Sequence, residues 1–250
     1  MLLVSGLGGQ AAFWDAVTPT LAGRFRVVRY DHRGCGRSDA PRTDYAIRQM
    51  TDDALAVLDG LGLDRAAAVI GHSTGGAIAQ TLALDHEERV GAVVLSATWA
   101  GPDPYMQALF HLRRHVLATA GAAAYQQLGT LMLKPAAWLS AHPEALAVDP
   151  EDAIRRVGDP VVLARRIDAI LAHDRRADLA RLHHPALVVC ARDDAVTPVN
   201  LSHELAETLP DTTLEVLEGG GHYLPEIDPE AWLAAVLPFL DRHVPTGDPA

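Results

Sequence analysis

The chain has 250 residues, 49% of them apolar and 21% charged, with a formal net charge of −11 at pH 7 and an isoelectric point near 5.5. A chain of this length buries about 70–75% of its unfolded surface, enough for one well-cored domain carrying an insertion. The acidic balance excludes a nucleic-acid binder, which must neutralise phosphates with lysine and arginine, and an anionic ligand would need a local arginine to be held at all.

The opening segment MLLVSGLGGQ has no basic start and only a short apolar run. Neither a signal peptide nor an anchor is expected, and no later run approaches the ~18 apolar residues of a membrane span. A cytoplasmic location without a membrane partner is the expectation. LLVS (2–5) reads as the first strand, followed by a glycine loop and a helix near 12–22. RVVRY (26–30) is the second strand. The loop Asp31-His32-Arg33-Gly34-Cys35-Gly36-Arg37-Ser38 after it reads as structural, with Cys35 as a small packed residue. A helix near 47–61 leads to the strand AAAVI (66–70), a helix over 74–86 and the strand AVVLS (92–96).

From Gly101 to about Leu182 the rhythm breaks. No convincing strand appears, and YMQALFHLRRHVLATA, AAYQQLGTLML, PEDAIRRV and PVVLARRIDAILAH read as helices, so the segment is expected to lie as a lid over the strand ends. The pattern resumes with ALVVC (186–190), a helix at 198–209, TLEVL (213–217) and a helix at 229–242, the last two helices opening at proline. The tail PTGDPA (245–250) is expected to fray. Short Val/Leu/Ala-rich runs without period-two alternation, separated by amphipathic stretches, imply an α/β fold: a mostly parallel sheet of about six strands covered on both faces. The expected organisation is a core over 1–99 and 183–243, a helical cap over 100–182 and a flexible tail over 244–250. Two cysteines, Cys35 and Cys190, cannot staple a fold of this size and fit reduced thiols.

Gly71-His72-Ser73-Thr74-Gly75-Gly76 stands between a strand and a helix, which is G-x-S-x-G in the context it requires. The turn is so sharp that the serine takes a strained conformation with its hydroxyl pushed clear, and Gly71 and Gly75 allow the close backbone approach. The alternative, a glycine-rich turn with an N-cap serine, leaves two later loops unexplained. A serine needs a base to take its proton and an acid to orient that base. Ala191-Arg192-Asp193-Asp194-Ala195-Val196-Thr197-Pro198 follows one strand and Gly219-Gly220-Gly221-His222 follows the next, in the order serine, acid, histidine. Ser73, Asp194 and His222 are therefore the candidate catalytic residues. Asp193 competes with Asp194, which is favoured by its spacing to Pro198. The amides of Leu7, in Ser5-Gly6-Leu7-Gly8-Gly9, and of Thr74, at the helix N-terminus, are the candidate oxyanion hole.

Trp99, Tyr105, Trp138 and Tyr223 are candidate walls of a substrate pocket. Should the substrate be an anion, Arg113, Arg114, Arg165 or Arg166 would hold it. No metal and no cofactor are implied. One rival comes from another class: Gly6-x-Gly8-x-x-Ala11 after a strand, with Asp31 ending the next, matches the dinucleotide fingerprint of a dehydrogenase. It accounts for neither the serine turn nor the two later loops.

Together these residues resemble the α/β-hydrolase superfamily across essentially the whole chain, and within it the RutD family of pyrimidine utilisation. That resemblance rests on SGLGG in place of the usual His-Gly, DYAIRQM (44–50), LALD (82–85), LKPAAWLSA (133–141), CARDDAVTP (190–198), SHELAETLPD (202–211) and the GGGH…DPE segment at 219–230. It implies hydrolysis of a small C–N substrate, aminoacrylate or carbamate, with release of ammonia. Enol-lactone hydrolases share the same turn and loops and imply a carboxylic ester or lactone instead. Members of the superfamily usually begin with an antiparallel hairpin before the first strand seen here. Its absence would leave RVVRY at an exposed sheet edge, where a homodimer is plausible.

Overall fold

The computed structural model describes residues 1–245, so most of the predicted tail lies outside the described residues. Strand β1 (Leu2–Val4) leads through a 3-10 turn, Ala11–Trp14, to α1 (Thr18–Ala22) and β2 (Val28–Arg29). Then follow α2 (Ile47–Gly60), β3 (Ala66–His72), α3 (Thr74–Asp85) and β4 (Val90–Ser96). Four helices come next without a strand: α4 (Pro104–Leu133), α5 (Ala136–Ala141), α6 (Pro150–Val157) and α7 (Pro160–Ala172). The chain re-enters the sheet as β5 (Ala186–Ala191), crosses through α8 (Val199–Thr208) to β6 (Thr212–Leu217), and ends in α9 (Leu224–Ile227) and α10 (Pro229–His243).

The six strands form one sheet in the order β2-β1-β3-β4-β5-β6, and every pairing is parallel. Both faces are covered, so successive strand residues feed different cores. Leu2, Val4, Val69, Val93 and Val188 pack with residues of α2, α3 and α8. Their neighbours Leu3, Ile70, Val94 and Val189 pack with Trp14, Leu21 and, from α10, Trp232, Val236 and Phe239. This two-sided burial explains the uninterrupted apolar runs, and the parallel pairing sends the C-terminal ends of β1, β3, β5 and β6 toward one rim, where such sheets bind ligands.

Three expectations need correction. The helix expected over 12–22 is a 3-10 turn followed by five residues of helix. Trp14 is drawn inward, 5.8 Å from Trp232 and 6.3 Å from His72 between ring centroids, and α1 starts afresh with Pro19 in its first turn. Among the described residues, only Val28–Arg29 of RVVRY is paired in the sheet, because β1, its one neighbour there, offers Leu2 and Leu3. The predicted flexible tail also begins too early. Val244 is buried, and its amide donates to Leu240 O at 2.8 Å.

Candidate active site

Ser73 closes β3 and caps α3 with φ 53° and ψ −118°, a left-handed conformation rare for a residue with a side chain. The strain is held from several sides. Ser73 N–H donates to Ser96 O at 2.8 Å, and Thr98 Oγ1 donates to Ser73 O at 2.8 Å. A Cβ on Gly71 would run into the Gly75 carbonyl, and one on Gly75 into the Val4 carbonyl. Both glycines are thus required by close backbone approach. The loop after β1 touches the same turn: a Cβ on Gly6 would come within 3.2 Å of Ser73 Cβ.

Asp194, the candidate acid, sits in the β5–α8 loop. Asp194 Oδ1 accepts from Val196 N–H at 2.7 Å and Thr197 N–H at 2.9 Å, and Oδ2 accepts from Thr197 Oγ1 at 2.9 Å. Its side chain is fully buried, and Oδ2 lies 2.8 Å from His222 Nδ1. An ionised carboxylate only accepts, so Nδ1 carries the imidazole proton and Nε2 is the basic nitrogen. Asp193 points elsewhere. It is exposed, and its Oδ1 accepts from Gly221 N–H at 2.9 Å, bracing the loop that carries His222. Gly220 and Gly221 of that loop have φ of 118° and 60°.

Ser73 and His222 both line a cavity of about 460 Å³ at the strand ends. Leu7 lines it as well. Thr74 is the first residue of α3, so its amide precedes the intrahelical ladder and is placed to donate to an anion beside Ser73. Arg166 of α7 fixes the Leu7 loop from behind. It donates to Leu7 O at 3.0 Å and Arg33 O at 2.7 Å, and its Nη2 lies 3.3 Å from His32 Nδ1. Burial, helped by the Arg166 charge, holds His32 well below the usual histidine range, which suits a neutral ring accepting that contact. His72 is likewise kept neutral, chiefly by burial and secondarily by His222.

Of the four predicted pocket aromatics, only Tyr223 lines the cavity. Burial, with the Glu226 carboxylate nearby, pushes its hydroxyl up to about 12. Trp99 is fully buried in the core instead, with Gln80 Nε2 donating to its carbonyl at 3.0 Å. Tyr105 is exposed and donates to Ala195 O at 2.6 Å. Trp138 stacks on His142 with centroids 4.1 Å apart, under the Lys134 ammonium. The walls actually come from Phe13, Phe110, Tyr125 and Leu133. Phe13 and Phe110 carry no signal that separates them from core residues. Thr197 was also missed, although a threonine three residues after an aspartate is a known local hydrogen-bonding pattern.

The dinucleotide reading fails on geometry. The loop after β1 opens into a 3-10 turn rather than a helix whose N-terminus could hold a pyrophosphate. Asp31, which should hold a ribose, instead accepts from Ala11 N–H at 2.8 Å and Arg37 N–H at 2.9 Å.

Residues 1–229 match the family described as alpha/beta hydrolase fold. A Caulobacter sp. (strain K31) protein, named provisionally as the carbamate hydrolase RutD, is 41% identical over 96% of this chain and 90% of its own length. The chain belongs to the α/β-hydrolase superfamily, within its RutD family. Among solved structures, a hydrolase from Pseudomonas aeruginosa PA01 is similar at 31% identity, covering 96% of this chain and 88% of that one with a TM-score of 0.84. The enol-lactonase of Burkholderia xenovorans LB400 is similar at 29% identity, with 96% and 90% covered and a TM-score of 0.86. The chain is thus a hydrolase of this fold. Among the described residues no helix is long and apolar enough to cross a membrane.

Proposed function

We propose that this hydrolase works by serine acyl transfer on a small substrate, with Ser73 as nucleophile, His222 as base, Asp194 as acid and the amides of Leu7 and Thr74 as the oxyanion hole. The observation that carries the reading is the buried Asp194–His222 pair beside a strained serine, with serine and histidine opening on one cavity. Ser73 Oγ attacks the substrate carbonyl carbon while His222 Nε2 takes its proton. The tetrahedral oxyanion is held by the two amides, and the imidazolium by Asp194. His222 then returns the proton to the leaving nitrogen or oxygen, and water repeats the sequence to free Ser73.

The helices of residues 100–182 act in this proposal as a cap, since α4 and the segment after it supply one wall of the cavity. The substrate is assigned as a small C–N compound, aminoacrylate or carbamate, which releases ammonia: a carbamate loses it through the carbonyl attack above, whereas aminoacrylate, whose nitrogen sits on a vinyl carbon, loses it when water activated by His222 and positioned by Ser73 adds to that carbon of its imine tautomer. The carbamate in the relative's name and the RutD membership support that assignment. A carboxylic ester or enol-lactone is the second reading, favoured by the likeness to the enol-lactonase.

The test is hydrolysis of matched small carbamates, amides, lactones and esters by wild type and Ser73→Ala. Wild type is expected to turn over at least one class, and Ser73→Ala to lose about 10⁴- to 10⁶-fold in kcat. Near wild-type turnover by Ser73→Ala would sink the acyl-enzyme route.

A further inference from the structure

The walls of the cavity carry four cations, Arg113, Lys134, Arg156 and Arg166, against one carboxylate, Glu226, in a chain whose net charge is −11. Three of the four are already engaged. Lys134 Nζ pairs with Glu226 Oε1 at 2.8 Å. Arg156 pairs with Asp152 one turn away on α6. Arg166 donates to the Leu7 and Arg33 carbonyls.

Arg113 is different. It is 6% exposed, yet among the described residues no carboxylate lies within 4 Å of it, and its one hydrogen bond runs from Nη2 to Tyr125 Oη at 2.9 Å. Nε is buried without an acceptor. The guanidinium carbon lies 5.2 Å from the Phe110 ring centroid and 5.1 Å from that of Tyr125. Two aromatic rings hold the fork in one plane and offset part of the desolvation, but they leave most of its five N–H groups unsatisfied. A buried charge without a counter-ion is strongly disfavoured, and a planar fork with spare donors matches a carboxylate. Arg114 and Arg165 cannot serve: the first pairs with Asp168 at the surface, and the second donates to Thr43 O on the exposed side.

We infer that Arg113 is the anchor for a carboxylate on the substrate, separate from the group that Ser73 attacks, so that a short anionic substrate spans the cavity from the α4 wall to the end of β3. The inference rests on the proposed function and adds to it a recognition residue: of the substrates proposed above, aminoacrylate carries a carboxylate apart from its reacting carbon, and carbamate does not.

The experiment compares monomethyl fumarate with methyl crotonate, a pair differing only by a carboxylate in place of a methyl, in wild type, Arg113→Gln and Arg113→Lys. Wild type is expected to favour the anionic ester in kcat/KM by about 10- to 100-fold, the range of a bidentate charge-assisted contact. Arg113→Gln should collapse that ratio toward one, chiefly through KM, and Arg113→Lys should restore part of it. No anionic preference in wild type, or equal losses on both esters in Arg113→Gln, would overturn the anchor. If wild type cleaves neither ester, Ser73→Ala titrated with the same two molecules separates the two ideas. Preferential binding of monomethyl fumarate that is lost in Ser73→Ala/Arg113→Gln upholds the anchor while the ester chemistry fails, and equal binding overturns the anchor.

Discussion

Changing Asp194 to Asn removes more than a charge. An amide can donate to His222 Nδ1, which would move the imidazole proton to Nε2 and leave no base facing Ser73. Asp194→Asn is therefore expected to lose on the order of 10⁴ in kcat on an activated ester. Asp193→Asn keeps an oxygen for the Gly221 amide and should lose less than about tenfold, the scale of one neutral hydrogen bond. Steady-state kinetics of the two variants decide the matter, and a reversed ranking would move the acid to Asp193. That Asp194 rather than Asp193 meets His222 was partly legible in the chain, because Asp194 stands four residues before Pro198. What the chain could not display is how Asp194 is held: Thr197 donates to Oδ2 and two amides close on Oδ1, so the carboxylate is pinned beside His222. The aromatic wall was hardly legible at all. Trp99 and Tyr105 follow the end of β4 as closely as any pocket residue should. One is turned into the core and the other out toward Ala195, a direction set by packing rather than by spacing.

Elements were legible where a single local force set them. The strand runs stand out because two helical layers demand apolar residues on both faces. The break in the long helix α4 falls at Gly121, with φ 78°, between the two predicted helical stretches. The segment over 12–22 was misread because Phe13 and Trp14 suit an amphipathic helix, while tertiary contacts with His72, Tyr223 and Trp232 pull both rings inward from a tighter turn. The serine turn depends on its glycines more than on its serine. A Cβ at position 75 meets the backbone of Val4, the last residue of β1, and of Ser5 just after it, so the sheet itself would have to give way. Gly75→Ala should cost about 3 kcal/mol by overpacking. Gly8, in the neighbouring loop, has open space around its would-be Cβ, so Gly8→Ala should stay within about 0.5 kcal/mol of wild type. Urea unfolding of both variants checks the contrast, and equal costs would mean that the turn relaxes around a side chain.

At the scale of the whole molecule, burying a sheet between two helical layers leaves several histidines without water. His32, His72 and His173 are each buried, and burial holds all three below the usual value, His173 at about 4. The Arg175 charge adds to the lowering at His173, and Asp174 opposes it. A histidine that is neutral when folded but titrates near 6.5 when unfolded makes the unfolded state bind more protons between those two values. The contribution of His173 is therefore fully present above about pH 7, and it is lost progressively as pH falls from about 6.5 toward 4. With one pKa unit equal to about 1.4 kcal/mol, the loss from this residue between pH 7 and pH 5 comes to about 2 kcal/mol. The carboxylates add to the loss only at lower pH, as with Asp85, whose carboxyl is held down by Arg175. His173 makes an edge-on contact with Trp99, and its Nε2 has no hydrogen-bond partner, so a leucine can replace the ring without orphaning another polar group. Urea unfolding at pH 7 and pH 5 should show a steep fall for wild type and one smaller by about 2 kcal/mol for His173→Leu. Parallel falls for the two proteins would mean that His173 takes up its proton while the fold is still intact, and that the acid sensitivity belongs to His32 and His72.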